Sequence, residues 1–347
     1  MEKIKAALLS FGMSGKVFHA PFINLHPGFE LAGAWERSKK AMEETYPGTK
    51  SFSSMEEILE DESIALVVVN TPTYTHYEYA KKALLAGKHV IVEKAFTTTV
   101  AEAEELKELA EKQGRKLSVF QNRRWDSDFK TVKKVVDEKL LGEIVEAEFH
   151  YDRYNPNLSP KLHKEEKNAG AGLMKDLGPH LIDQALFLFG IPDAVFADVR
   201  TTREHSDVDD WFDLLLYYPT FRVRLKAGYF VREAVPAFVV HGKKGSFLKS
   251  RGDVQEASLL KGIKPNAAGY GIEPKELEGL LHTEKNGEVI RELIPTLPGN
   301  YMEYYEAVYQ SIAHNKPGPV TAADGVNVMK VIEAAIKSSE MQEACRL

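Results

Sequence analysis

Asp176-Leu177-Gly178-Pro179-His180 places a carboxylate and an imidazole about one helical turn apart, directly ahead of a strongly apolar run. That run, Leu181-Ile182 followed by Ala185-Leu186-Phe187-Leu188-Phe189, must pack into a core. Two polar groups at its entrance therefore either cap the helix or face a cleft. A helix beginning near Pro179, a residue well tolerated in a first turn, would let Asp176 cap the free amides there. In a cleft the pair would work with a bound nucleotide, and a separate signal at the start of the chain implies one. His180 and Asp183 also have the i,i+3 spacing of metal ligands, but no third ligand accompanies them, so no metal is expected.

The second signal is Ser10-Phe11-Gly12-Met13-Ser14-Gly15, a dinucleotide fingerprint with its first glycine replaced by serine. Gly12 would let backbone approach a pyrophosphate, and Gly15 would permit close helix–strand packing. Amides at the following helix start would hold the negative charge. At the end of the second strand stands Trp35-Glu36-Arg37-Ser38. Glu36 there could accept from ribose hydroxyls, which favours NAD. Arg37 and Ser38 could instead hold a 2′-phosphate, and an arginine beside a hydroxyl tilts the expectation to NADP, with NAD possible. Glu93-Lys94 closes another buried strand, the edge where open parallel sheets place ligands. Gln121-Asn122-Arg123-Arg124 follows a further strand end.

These residues need a scaffold, and the first third of the chain reads as one. Apolar runs at Ile4–Leu9, Phe29–Trp35, Ile64–Val69, His89–Val92 and Leu117–Phe120 alternate with helical segments, including 100–113 closed by Gly114. Continuous apolarity suits strands buried on both faces, and the alternation implies right-handed crossovers in a doubly wound parallel sheet. Beyond Gln121 the pattern changes. A helix over 128–141 is followed by a strand at 144–151, then by the apolar helix and four further runs at 195–202, 211–217, 222–230 and 238–241. Phe221 to Ala227 alternates strictly, as a sheet with one wet face requires. The expected class is α/β: a doubly wound domain over 1–121, and an α+β domain with a mostly antiparallel sheet over 122–347. Residues 250–300 show no clear element, and two helices close the chain, 302–314 and one from 322 with Thr321 to Asp324 as a capping box.

The chain of 347 residues carries 45 Lys and Arg against 51 Asp and Glu, so its net charge of −6 offers nucleic acid no basic field. No run approaches the roughly 18 apolar residues of a membrane span. The one cysteine, Cys345, excludes an intrachain disulfide, and a cytoplasmic protein is the natural reading.

Taken in order, several stretches resemble the glucose–fructose oxidoreductase / inositol dehydrogenase / MocA family. They are Gly12 to Gly15 with Phe18-His19-Ala20-Pro21-Phe22, Asn70-Thr71-Pro72 through His76, Glu93-Lys94, Gln121 to Arg124, and Asp176 to Asp183. Phe18 to Phe22 and Tyr151-Asp152-Arg153-Tyr154 are most similar to its NADP-preferring scyllo-inositol dehydrogenase branch. The chain departs from the family pattern at Ser10, usually glycine, and at Ala95, usually proline.

The resemblance implies a Rossmann domain, a second domain whose open sheet serves a homodimer or homotetramer, and hydride transfer between NAD(P) and a cyclic polyol or sugar. Lys94, Asp176 and His180 would form the catalytic group. His180 would exchange the hydroxyl proton, since an imidazole ordinarily titrates near about 6.5, Lys94 would stabilise alkoxide charge, and Asp176 would orient the ring or a neighbouring hydroxyl. Cofactor contacts are expected from Phe11, Gly12, Met13, Ser14, Gly15, Glu36, Arg37, Ser38, Asn70, Thr71, Pro72, His76, Glu93, Lys94, Gln121 and Arg124. Arg153, Tyr154, His163 and Tyr301 are candidates for a polyol pocket. The same chemistry on an aldose, a ketosugar or a trans-dihydrodiol is an alternative, and a catalytically silent NADP-binding regulator is another.

Overall fold

The structure is a computed structural model describing residues 3–159, 165–166 and 168–347. It divides into two compact units: Met1–Asn122 with Gln255–Tyr270 and Asn300–Val326, and Arg123–Val254 with Gly271–Gly299 and Asn327–Leu347.

The first unit contains six strands: β1 (Ile4–Leu8), β2 (Phe29–Trp35), β3 (Lys50–Phe52), β4 (Leu66–Val69), β5 (His89–Glu93) and β6 (Leu117–Phe120). They pair in parallel in the order β3-β2-β1-β4-β5-β6, the doubly wound arrangement whose ligands sit at the carboxyl strand ends. All four residues of β4 are buried, as a strand covered on both faces must be. Strand β3 has too few apolar residues to show in the sequence. Its place is marked by Gly33 of β2, at φ +152°, where a Cβ would lie 1.9 Å from the Lys50 carbonyl oxygen.

Local chemistry sets the helices of this unit. Ser54 caps Met55–Glu60 by accepting from the Glu57 amide at 3.2 Å, and Thr99 and Glu102 form a capping box on Val100–Lys112. Thr321 and Asp324 make a reciprocal pair of the same kind at the start of Ala322–Met341. The helix Met302–His314 buries Tyr304 and Tyr305 among Phe18, Phe22 and Phe120, with Phe22 stacked on Tyr305 at 5.3 Å. Tyr301, proposed for a polyol pocket, is fully buried in this cluster against Phe18 and Phe22. It is core rather than pocket, because aromatic residues repeating along one helix face bury together.

The second unit holds a nine-stranded sheet in the order β14-β13-β12-β11-β7-β10-β9-β8-β15. The strands are β7 (Ile144–His150), β8 (Ala194–Arg200), β9 (Trp211–Tyr217), β10 (Arg222–Gly228), β11 (Phe238–Gly242), β12 (Gly245–Lys249), β13 (Gly279–Lys285), β14 (Glu288–Ile294) and β15 (Cys345–Arg346). Among the described residues of this unit, β7 and β10 alone pair in parallel. Along β10, Val223 and Leu225 point into the core while Arg222 and Arg224 point to solvent.

The segment 250–300, expected to lack elements, instead contains a short helix, Gln255–Leu260, and the β13–β14 hairpin. Its turn is Asn286-Gly287, both at positive φ (54° and 83°), the conformation that a two-residue hairpin turn demands. That dipeptide was the available signal. The strand that follows it, β14 at the sheet edge, has no buried residue to give the sequence a periodicity.

Candidate active site

In the first unit the sheet's carboxyl edge gathers three loops. After β1 the chain turns at Ser10, whose backbone N–H donates to Asn70 Oδ1 at 3.0 Å while Asn70 Nδ2 donates to the Ser10 carbonyl at 2.8 Å. Asn70 therefore pins the glycine turn from the end of β4. A Cβ on Gly15 would lie 2.4 Å from that same Ser10 carbonyl oxygen, so the packing admits only glycine. Gly12 differs. A Cβ there would meet only Ser10 Oγ, at 3.4 Å, so the protein does not demand this glycine, whose bare backbone is exposed. The fit to a dinucleotide rests on this contrast: one glycine is required inside, the other leaves backbone open to a pyrophosphate. Ser10, in the usual glycine's place, closes the turn by accepting the Gly12 amide on Oγ at 3.2 Å. The segment that follows opens as a π-turn, Gly15–His19, before the helix Ala20–Leu25. Met13 is half exposed, while Phe11 is buried edge-on to Tyr46.

At the end of β2, Arg37 and Ser38 are exposed, together with Lys39 and Lys40. Glu36, expected to receive ribose hydroxyls, turns Oε2 the other way, accepting from the Met42 amide at 2.9 Å and from Ser51 Oγ at 2.8 Å. After β4, Thr71 Oγ1 and Thr75 Oγ1 lie 2.6 Å apart, and Pro72 is exposed. His76, expected at the cofactor, is buried, with Nδ1 2.8 Å from the Ala95 carbonyl oxygen and Nε2 2.8 Å from that of Thr71. It thus joins the loops after β4 and β5 from behind. Burial pushes its pKa down against the pull of those two carbonyls.

Strand β5 ends at Glu93, with a cis peptide between Lys94 and Ala95. Glu93 Oε1 accepts from Ser14 Oγ of the glycine turn and lies 3.0 Å from His19 Nε2, while Oε2 accepts the Lys94 amide at 3.2 Å. Burial raises the Glu93 pKa, but His19, Ser14 and Lys94 outweigh it and leave the carboxyl below its ordinary value. Gln121, after β6, is buried and closes a tight turn by donating its amide to the Val119 carbonyl at 3.0 Å.

In the second unit, Asp176 ends a short helical turn, Leu173–Asp176, and His180 lies in the helix Gly178–Phe189. Pro179 sits in the first turn as expected. The N-cap position of this helix is Leu177, which has no side-chain oxygen to offer its free amides. The turn bearing Asp176 is instead held by Asp209, whose Oδ2 accepts the Met174 amide at 2.6 Å and whose carbonyl accepts the Leu173 amide at 2.8 Å. Gly172, at φ +97°, makes room: a Cβ there would fall 2.0 Å from Asp209 Oδ1. Burial pushes the Asp209 carboxyl up to about 6 despite the bonds from the Met174 amide and its own. Tyr229 was also missed by the sequence reading. Burial, and then the negative charge of Asp176, raise its pKa, placing its hydroxyl within the field of that carboxylate.

Arg124, expected at the cofactor, gives Nε and Nη2 to Asp183 Oδ2 and Oδ1 at 2.8 and 2.7 Å, both side chains being buried. The guanidinium also lies 4.3 Å over Phe187. Its planar fork matches the carboxylate, so it anchors the helix of His180. Arg153 and Tyr154 are exposed, with the Arg153 guanidinium 5.0 Å over Tyr151 and that of Arg232 3.8 Å over Tyr154. His163 lies outside the described residues.

Comparison with known proteins agrees with this geometry. The family model described as "Oxidoreductase family, NAD-binding Rossmann fold" matches residues 4–121, and the "GFO/IDH/MocA C-terminal domain" model matches residues 129–248. The chain is 38% identical over 347 residues to scyllo-inositol 2-dehydrogenase (NADP(+)) IolW of Bacillus subtilis, covering 100% of this chain and 97% of the relative. It is 37% identical to the oxidoreductase YdgJ of Escherichia coli, covering 98% and 97%. Among solved structures, an oxidoreductase from Bacteroides fragilis superposes with a TM-score of 0.92 at 46% identity, with 100% of each chain covered. Among the described residues, no helix is long and apolar enough to cross a membrane. With both halves matched in order and relatives aligned along its whole length, the chain belongs to the GFO/IDH/MocA family of NAD(P)-binding oxidoreductases, which act on CH–OH groups.

Proposed function

We propose that the protein is an NADP(H)-dependent dehydrogenase of a cyclic polyol, with scyllo-inositol and its inosose as the favoured substrate pair. One observation carries this reading: the full-length similarity to a relative named for that reaction and that cofactor. The exposed Arg37, Ser38, Lys39 and Lys40 at the end of β2 support the cofactor preference, as does the turning of a Glu36 oxygen to its own loop. The bound nicotinamide supplies the hydride chemistry. Asn70 and the two glycines shape the turn that receives the pyrophosphate.

Lys94 donates to the substrate oxygen as charge grows on it, and His180 takes the hydroxyl proton during oxidation and returns it during reduction. Asp176 orients the imidazole or binds an adjacent hydroxyl, and Arg153 and Tyr154 offer a donor and an aromatic face to a ring of hydroxyls. Arg124 and His76 act as supports. Assembly through the open face of the nine-stranded sheet into a homodimer or homotetramer, in the cytoplasm, completes the reading.

A second reading, the same chemistry on a sugar, is favoured by 30% identity to glucose-6-phosphate 3-dehydrogenase of Bacillus subtilis, over 56% of this chain. A panel of inositols, aldoses, ketosugars and trans-dihydrodiols, assayed with NADP+ and NAD+, separates the two. Fastest turnover of scyllo-inositol with NADP+ is the expected result. Preference for a sugar would install the second reading, and tight NADP+ binding without turnover on any substrate would make the protein a silent regulator.

Arg37→Ala should weaken NADP+ by roughly 10- to 100-fold, the worth of one charge-assisted hydrogen bond to a phosphate, and barely affect NAD+. Fluorescence titration of both cofactors measures this. Equal losses would remove Arg37 from the 2′-phosphate.

A further inference from the structure

We propose that His19 is a positioning residue: a buried imidazolium that, through Glu93, locks the glycine turn and the Lys94 strand end into one hydrogen-bonded unit. The inference deepens the role given above to Lys94 and rests on that reading.

Proton counting makes the argument. The Tyr305 hydroxyl is buried and has a single hydrogen, which it donates to the Phe18 carbonyl oxygen at 2.5 Å. His19 Nδ1 lies 2.8 Å from the same hydroxyl oxygen, so Nδ1 must be the donor in that pair. The other ring nitrogen, Nε2, lies 3.0 Å from Glu93 Oε1. Two lone pairs cannot face each other at that distance inside a protein, so a proton lies between them. Tyr305 stays a phenol, since burial first, and then the neighbouring Tyr304 and Glu93, hold its pKa well above the ordinary value. Glu93 accepts on both oxygens, from the Ser14 hydroxyl on Oε1 and from the Lys94 amide on Oε2, the pattern of an ionised carboxylate, so the shared proton belongs to the ring. His19 therefore donates from both nitrogens.

What this cation holds is the reason to assign it a function. Glu93 Oε1 also takes the Ser14 hydroxyl, and Oε2 takes the Lys94 amide at 3.2 Å. One carboxylate thereby fixes the turn that shapes the pyrophosphate site to the residue that meets the substrate oxygen. His19 is fully buried, its ring 4.5 Å from that of Phe120 on β6, so no water competes for Glu93 from that side. The π-turn Gly15–His19, with the Ala20 amide bonded to the Gly15 carbonyl, is the local irregularity that carries His19, and such turns recur at functional sites. The groups facing His19 are Glu93 from β5, Phe120 from β6, and Tyr305 from the helix Met302–His314.

Without the imidazolium, Glu93 would be a buried carboxylate lacking its main counter-charge, and it would take up a proton as pH falls. The bonds to Ser14 and to the Lys94 amide would then weaken together.

The first test needs no substrate. In histidine-15N-labelled protein, the ring perturbed by Tyr305→Phe and absent from His19→Gln should show both nitrogens protonated at pH 7.5. A neutral ring overturns the proposal, and if His19→Gln does not fold, Tyr305→Phe alone identifies the signal.

The second test measures NADP+ affinity and kcat in His19→Gln from pH 6 to 8.5. Both should drop by about 10- to 100-fold, the worth of a buried charge-assisted hydrogen bond, and the loss relative to the parent at the same pH should grow with acid. A uniform loss with an unchanged pH profile would mean a packing role only. If the polyol reading fails while this one holds, the doubly protonated ring and the acid-sensitive loss of NADP+ binding persist, with only the substrate changed.

Discussion

Replacing either Lys94 or His180 by alanine should reduce kcat with the best polyol by roughly 10²- to 10⁴-fold, the range for losing a general acid–base or an alkoxide stabiliser. NADP+ affinity should stay within severalfold for both variants, because neither side chain is part of the glycine turn or the end of β2. The double variant should be little slower than the worse single one, since groups that act in a single step do not contribute additively. Stopped-flow reduction of NADP+, with cofactor affinity measured separately, separates chemistry from binding. A variant within threefold of the parent rate would strike that residue from the catalytic group. The turn that bears Asp176 is held from outside the motif, by Asp209.

The largest effect on stability should come from a pair with no part in the chemistry. Lys249 and Glu273 form a salt bridge at 2.6 Å in which neither side chain reaches solvent. The ammonium also donates to the Leu277 carbonyl at 2.7 Å and to that of Ser250 at 3.2 Å, while the second Glu273 oxygen accepts from Ser127 Oγ at 2.5 Å. Lys249→Met keeps the volume but leaves the carboxylate uncompensated, a change that costs about 3–5 kcal/mol in buried pairs.

The sign with pH follows from Glu273. Burial already raises its pKa in spite of Lys249 and Ser127, and removing the lysine raises it further. A carboxyl whose folded pKa is raised disfavours folding above that pKa, and the penalty fades as the group protonates below it. The stability difference between variant and parent should therefore be greatest at neutral pH and shrink on acidification. Urea unfolding at pH 7.5 and pH 5 checks this. A neutral-pH difference under about 1 kcal/mol, or one that grows with acid, would contradict the account.

Much of the architecture was readable because burial writes itself into the sequence. Five of the six strands of the first sheet were legible as apolar runs, and the helix Met302–His314 coincides with the stretch expected. The capping box at Thr321 and Asp324 was equally visible, since both partners lie within one turn of chain. Short or edge strands were not: β3 has three residues, and β14 buries none of its side chains.

The candidate residues divide along the same line. Gly12, Gly15, Lys94, Asp176 and His180 stand at strand and helix ends that local sequence announces. The supporting residues depend on partners far along the chain: Asp183 on Arg124, Glu93 on His19, the Asp176 turn on Asp209, and Tyr301 on an aromatic cluster.

Residue types and their order thus marked by themselves a glycine turn for a dinucleotide on an alternating strand–helix domain, because a phosphate turn and buried strands are local signatures, and the family resemblance they carry implied a nicotinamide nucleotide and CH–OH chemistry. Only the tertiary structure decided which of the remaining polar residues serve the scaffold. A side chain's role depends on whether its hydrogen-bonding capacity is already met inside the fold, and those partners can be 287 positions away in sequence, as between Tyr305 and Phe18.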